Sequence, residues 1–310
     1  MRNLWLGVLL AGMAGCSTQT LNFEHQSELQ VSTRGVALQA DGQDAVAGMF
    51  GTTCRVSVAD GQLGDDYDIP GTDLEMVQDA GDVLGNSAVV VVSDLGAHVT
   101  YPDRFWDWQP DHIAGPGILE GRIYGDGFAL LDEGEDCQVS WVGGNDAIAT
   151  HLGGALCDRP SFTVNRDTGD AYVANGDSVV VAGTDGAVEE IAQDADLVVW
   201  DAAAEVLYAA MIGGSTVRGI ETDGHVRWTA DVPGEIVAMD DMGPLAQAAV
   251  MVGEEDSTGS LILLDGFTGE LSSSMATPQP ANEITTSADG GTMAMVLDRE
   301  VHFFNVHATP

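Results

Sequence analysis

Carboxylates are the densest chemically capable groups in this sequence. They fall in short runs: Asp65-Asp66-Tyr67-Asp68, Asp132-Glu133-Gly134-Glu135-Asp136, Asp240-Asp241 and Glu254-Glu255-Asp256. Several oxygens converging from one loop are what a hard cation such as calcium requires. None of the runs has the spacing of the twelve-residue calcium loop, so they read as solvated turns, with calcium retained as a candidate ligand and no other cofactor expected. The seven histidines (His25, His98, His112, His151, His225, His302, His307) are scattered. None forms a His-x-His or metalloprotease pair, so no metal site is expected from them. There is no Gly-x-Ser-x-Gly elbow and no phosphate loop, and Gly213-Gly214-Ser215 reads as a turn. With no catalytic motif, the sequence does not read as an enzyme. One aromatic segment, Tyr101, Phe105, Trp106 and Trp108, has the residue types that anchor protein interfaces. The competing reading packs it beneath a long loop as a satellite core.

The four cysteines divide into two groups. Cys16 closes an N-terminal stretch with Arg2, an apolar run from Leu4 to Ala11, and then Gly12-Met13-Ala14-Gly15. One positive charge, a short apolar run and small residues make a secretory signal. The run is too short to cross a bilayer, which takes roughly 20 apolar residues. Ala14-Gly15-Cys16 resembles a bacterial lipobox, although Met13 replaces the usual leucine. The resemblance implies cleavage before Cys16 and acylation of that cysteine, and several acyl chains anchor stably where one does not. An ordinary signal cut nearby is the alternative. By the same resemblance, Ser17 rather than Asp after the cysteine implies the outer membrane, facing the periplasm or the cell surface. The expected organisation is a signal over 1–15, a lipid-anchored tether over 16–26, and one domain over 27–310. Of the remaining cysteines, Cys137 and Cys157 lie in neighbouring repeats and are candidates for a disulfide, which an exported compartment permits. Cys54 would then be a buried thiol. No Cys-x-x-Cys spacing suggests a metal site.

The charge excludes some partners. Forty-nine acidic residues face ten basic ones, all arginine, for a formal net charge of −39. Such a surface repels phosphate backbones, so nucleic acid is not an expected partner. It repels anionic headgroups too, so the lipid alone would hold the protein on a membrane. Screening by salt tolerates dense carboxylates, which suits a saline environment. A basic partner or divalent cations are the sharper alternative.

These residues must sit on a repetitive β framework. Short β-branched runs alternate with Gly, Asp, Asn and Ser turns, and no segment keeps a helical period over three turns. One unit runs Leu197–Asp201, Val206–Ala210, Thr216–Ile220 and His225–Thr229, with Thr222-Asp223-Gly224 as a hairpin signal. First strands are expected near residues 35, 74, 118, 161, 197, 236 and 283. Their spacing matches the roughly 40–45 residues of a four-stranded propeller blade. The last unit lacks a fourth strand, and Glu28-Leu29-Gln30-Val31-Ser32 is a spare one. Closing the ring with that strand removes an open blade and gives an all-β, seven-bladed propeller. A β-sandwich pair and a β-helix are the alternatives, against which the four-strand unit argues.

Asp265-Gly266-Phe267-Thr268-Gly269-Glu270 resembles the Asp-x-x-Thr-Gly-Glu turn of quinoprotein-like propellers. Asp167-Thr168-Gly169-Asp170-Ala171-Tyr172-Val173-Ala174 is similar to the repeat of envelope and surface YVTN-like propellers. The resemblance spans most of residues 27–306 and implies a fold, not an activity. The quinone-dependent enzymes of that class carry adjacent cysteines, which this chain lacks. An outer-membrane lipoprotein of the β-barrel assembly machinery has a similar anchor and propeller, with eight blades. The reading is a non-enzymatic, lipid-anchored scaffold that binds another envelope protein. The alternatives are a ligand- or calcium-binding sensor or enzyme with a site in the central channel, and a cell-surface adhesive module.

Overall fold

The computed structural model describes residues 21–308 apart from 32, 34, 50–51, 68–75, 84–85, 102–110, 135–136, 144–145, 159 and 255–256. Its strands form seven antiparallel four-stranded sheets, the blades of a propeller. Strand β1 (Leu21–Leu29) stands apart from its neighbours in sequence. Blade 1 is β2 (Val36–Leu38), β3 (Asp44–Met49), β4 (Thr52–Ser57) and β5 (Leu63–Tyr67). Blade 2 is β6 (Met76–Val83), β7 (Asn86–Ser93), β8 (Gly96–Thr100) and β9 (Asp111–Ala114). Blade 3 is β10 (Ile118–Tyr124), β11 (Gly127–Asp132), β12 (Gln138–Gly143) and β13 (Asp146–His151). Blade 4 is β14 (Ser161–Val164), β15 (Ala171–Ala174), β16 (Ser178–Ala182) and β17 (Val188–Gln193). Blade 5 is β18 (Leu197–Asp201), β19 (Val206–Ala210), β20 (Thr216–Ile220) and β21 (Val226–Asp231). Blade 6 is β22 (Glu235–Asp241), β23 (Gln247–Gly253), β24 (Gly259–Asp265) and β25 (Leu271–Thr277). Blade 7 holds β26 (Glu283–Thr286), β27 (Thr292–Val296) and β28 (Val301–Ala308), and takes β1 as its outer strand.

The N-terminal strand therefore closes the ring, as the repeat count requires. It lies earlier than expected: Leu21–Gln26 belong to the sheet rather than to a tether, and the strand ends at Leu29 instead of spanning 28–32. Leu21 pairs with Ala308 and Leu29 with Val301. The seven inner strands begin within two residues of their expected starts.

Burial follows position within each blade. Second strands are covered on both faces by adjacent blades and read as continuous apolar runs, such as Val206–Ala210 and Thr292–Val296, buried throughout. Outer strands such as Val188–Gln193 are largely exposed and carry Glu189 and Glu190. The core is thus a series of apolar layers between blades. One layer joins Val301 and Phe303 of blade 7 to Val36, Leu38, Ala45 and Val56 of blade 1 across the closure.

The ring has two faces. The upper face carries the turns between second and third strands, including Leu95, Asp132–Gly134, and Met211 with Ile212. The lower face carries the first-to-second and third-to-fourth turns, and there β1 begins and β28 ends. Among the described residues no helix is long and apolar enough to cross a membrane.

Candidate functional site

The seven inner strands enclose a central channel with a cavity of about 760 Å³. Its lining mixes apolar residues such as Leu38, Phe162 and Trp200 with Asp79, Arg122, Arg166, Asp240, Asp241 and Glu283. Adjacent inner strands do not pair as a sheet, so their backbone N–H groups need other acceptors. Side chains of the preceding blade supply them. Asp79 of blade 2 accepts from the Ile123 N–H of blade 3 at 2.8 Å. In blade 4, the Ser161 hydroxyl accepts from the Val198 N–H at 3.1 Å and the Thr163 hydroxyl from the Trp200 N–H at 3.2 Å. Asp240 of blade 6 accepts from the backbone and hydroxyl of Thr286 in blade 7. Glu283 of blade 7 accepts from the Val36 N–H of blade 1 at 3.1 Å. Every one of these bonds runs in the same sense around the ring, from one blade to the next.

The charges are arranged on this frame. The Arg166 guanidinium donates to Asp79 at 2.7 Å and faces Asp240 and Asp241. Arg122 donates to Glu120 at 2.9 Å. Burial pushes the Glu283 carboxyl up to about 7, against the opposing bond from Val36 and the charge of Arg122. Burial likewise raises Glu120 to about 7, with Arg122 opposing. Burial and mutual repulsion raise Asp240, and burial with the nearby charge of Asp201 raises Asp241. Perturbed carboxyls in a cavity often mark chemistry. Here Asp79, Asp240 and Glu283 each have a structural task as acceptors between blades.

The repeated turn motif is also structural. The Asp265 carboxylate accepts from the Phe267 and Thr268 N–H groups at 3.0 and 2.9 Å, and from the Thr268 hydroxyl at 3.0 Å. Gly269 has φ +72°, and a Cβ there would lie 2.6 Å from the Trp228 ring. Trp228 of blade 5 donates to the Gly266 carbonyl of blade 6 at 2.8 Å. In the same way Trp141 of blade 3 donates to the Gly169 carbonyl of blade 4 at 2.8 Å, and Gly169 has φ +79°. The turn is a socket for a tryptophan of the preceding blade. Asp201 uses the same device, capping Ala203 and Ala204 and accepting from the Tyr208 hydroxyl.

Among the described residues, those singled out in the sequence are brought together only in pairs: His25 with His302, His98 with His112, and two cysteines. Cys137 and Cys157 are joined by a disulfide, Cα atoms 5.5 Å apart, on the upper side of the crossover from blade 3 to blade 4. Cys54 is buried on β4. Tyr101 packs partly buried against the core between blades 2 and 3, while Phe105, Trp106 and Trp108 lie outside the described residues, as does Cys16. Asp240 and Asp241 are not a solvated turn: they end an inner strand and line the channel, because the blade period puts them there. Asp65 and Asp66 lie on β5, and Asp68 is outside the described residues. Sequence reasoning missed the inner-strand acceptors and the pairing of His25 with His302. The first are of mixed type and sit at different places in their strands, so no sequence pattern marks them. The 277 positions between the histidines hid the second.

No family model and no curated protein matches the chain. Among solved structures, it is similar to a chain in a crystal structure of a mitotic checkpoint complex, with a TM-score of 0.66 over 92% of both chains at 8% identity. That likeness shows the fold: the protein is a seven-bladed β-propeller.

Proposed function

We propose that the protein is a lipid-anchored envelope scaffold of the quinoprotein-like propeller type, without catalytic activity, and that it binds a partner protein through its upper face. The observation that carries this reading is the polarity of the ring. The chain enters β1 at Leu21 on the lower face. Five residues extend at most about 18 Å, so an acylated Cys16 would hold the lower face against an outer membrane and turn the upper face away. That outward face exposes Leu95 (48%), Met211 (37%) and Ile212 (57%); the lower rim also exposes Val226, Phe267 and Leu271, so the anchor and not apolar exposure selects the face. Three of the four channel carboxylates, Asp79, Asp240 and Glu283, are occupied in joining blades, which weighs against catalysis there. A similar fold in a chain of a multiprotein complex is compatible with binding of protein partners.

The test is metabolic labelling with an alkyne fatty acid, followed by membrane fractionation and cross-linked capture of the tagged protein. Label and membrane association lost in Cys16→Ala, together with envelope proteins captured only by the anchored form, support the reading. A soluble, unlabelled wild-type protein with an empty capture refutes it. A second reading, a calcium or small-ligand sensor, rests on the channel's volume and its four carboxylates. It requires a calcium-dependent rise in Tm that Asp241→Asn abolishes.

A further inference from the structure

We infer that the protein carries a transition-metal site at the closure of the ring, formed by His25 and Glu28 of β1 and His302 of β28, which takes zinc or a similar divalent ion. The ligand atoms of these three residues all lie within 4.8 Å of one another. The register creates the group. Glu28 stands opposite His302, and His25 opposite Phe304, with a bulge between His25 and Ser27. In a regular strand, residues 25 and 28 would point to opposite faces. The extra residue, Gln26, returns His25 to the face that Glu28 and His302 share, a common use of bulges at sites.

The separation of the two imidazole nitrogens suits a tetrahedral ion. His25 Nε2 and His302 Nδ1 face each other at 3.2 Å. Two nitrogens each about 2.0–2.1 Å from a tetrahedral zinc stand about 3.3–3.4 Å apart. The opposite nitrogen of His302, Nε2, lies 2.8 Å from the Glu300 carboxylate. A carboxylate behind a ligating histidine is the usual means of fixing its tautomer and ring orientation. The Gln30 amide donates to both Glu28 and Glu300 at 3.3 Å, tying the ligand carboxylate to the supporting one. The edge of Phe304 packs against His25, ring centroids 5.4 Å apart, and limits its rotation.

Two imidazoles and one carboxylate with a fourth position open to water select zinc, or nickel and copper, over calcium and magnesium, which prefer oxygen alone. The location gives the site a purpose. It bridges the first and last strands of the ring, which are held to each other by backbone pairing and side-chain packing without a covalent link. An ion bound by the closed ring and not by the open chain stabilises the closure by mass action.

The test uses the mature protein without a histidine tag, freed of metal by chelation. In calorimetric titration, zinc binds at one ion per chain, raises the Tm, and slows amide exchange on β1 and β28 more than on blades 3 to 5; calcium does none of these. Cobalt in place of zinc gives the visible absorption of a tetrahedral ion. His25→Ala removes an exposed side chain, so its fold is expected to survive, and with it zinc binding is lost; His302→Ala behaves alike. Glu300→Gln, which supports His302 without ligating, weakens binding about 10–100-fold. No zinc uptake by folded wild-type protein overturns the assignment, and so does undiminished affinity in folded His25→Ala.

Discussion

The joint between blades 5 and 6 and the closure within blade 7 hold one ring together by different physics. At the first joint the chain is continuous, and the indole of Trp228 fills a socket built by Gly266 and Gly269 on the next blade. There the apolar layer between the blades, with Val206, Tyr208, Ile236 and Val250 in it, is pinned by that aromatic and its hydrogen bond, and sequence keeps the blades adjacent. At the closure nothing in the sequence keeps β1 beside β28. Eight paired positions, an apolar layer shared with blade 1 and the bond from the Ser273 hydroxyl to the Leu21 carbonyl do that work. The fold is therefore most vulnerable at the closure. Local joints fail one at a time, whereas loss of the closure exposes an unpaired strand edge and two apolar layers at once.

Each kind of joint can be weakened on its own. The largest effect is expected from Trp228→Ala, which empties a buried socket and should cost about 3–5 kcal/mol in urea unfolding. A cost near that of a surface substitution would show that the socket is ornamental. Reducing the Cys137–Cys157 disulfide should cost about 2–4 kcal/mol, read as a lower Tm with faster amide exchange in blades 3 and 4 and little change in blade 7. Uniform loosening would mean that the ring has no separate joints. Asp79→Ala leaves the Ile123 N–H without its acceptor and Arg166 without its ion-pair partner, for an expected loss of about 1–3 kcal/mol.

The smallest effect is expected in the channel. Glu283 sits at the closure with its carboxyl raised to about 7. A raised carboxyl binds its proton more tightly in the folded protein than in the unfolded chain. Its contribution is therefore complete below about pH 4.5, the ordinary range of the group, and fades as pH rises through 7. The Tm should fall between pH 5 and pH 8, and Glu283→Gln should shallow that fall. An unchanged profile in the variant would assign the pH dependence to other groups.

Much of the architecture was legible because its signals are local. Asp265–Glu270 and Thr222-Asp223-Gly224 announce turns through residues that cap or tolerate positive φ, and their spacing set the blade period. The closing strand was foreseen, but its span was not. Leu21–Gln26 mix polar and apolar residues because one side of β1 is exposed and the bulge at Gln26 interrupts its alternation. The channel was illegible for a different reason. Asp79, Asp240 and Glu283 look like ordinary acidic residues until the ring places each beside the next blade's backbone. The His25–Glu28–His302 group depends on pairing between the two ends of the domain, which no local pattern encodes.

The most direct test of the scaffold reading is site-specific photo-cross-linking in intact cells, with the probe placed singly at Leu95 and Ile212 on the upper face and at Val226 and Leu271 on the lower rim. Discrete protein adducts are expected at Leu95 and Ile212 and should disappear in Cys16→Ala. Adducts confined to the lower rim, or upper-face adducts that persist without the anchor, would contradict that reading.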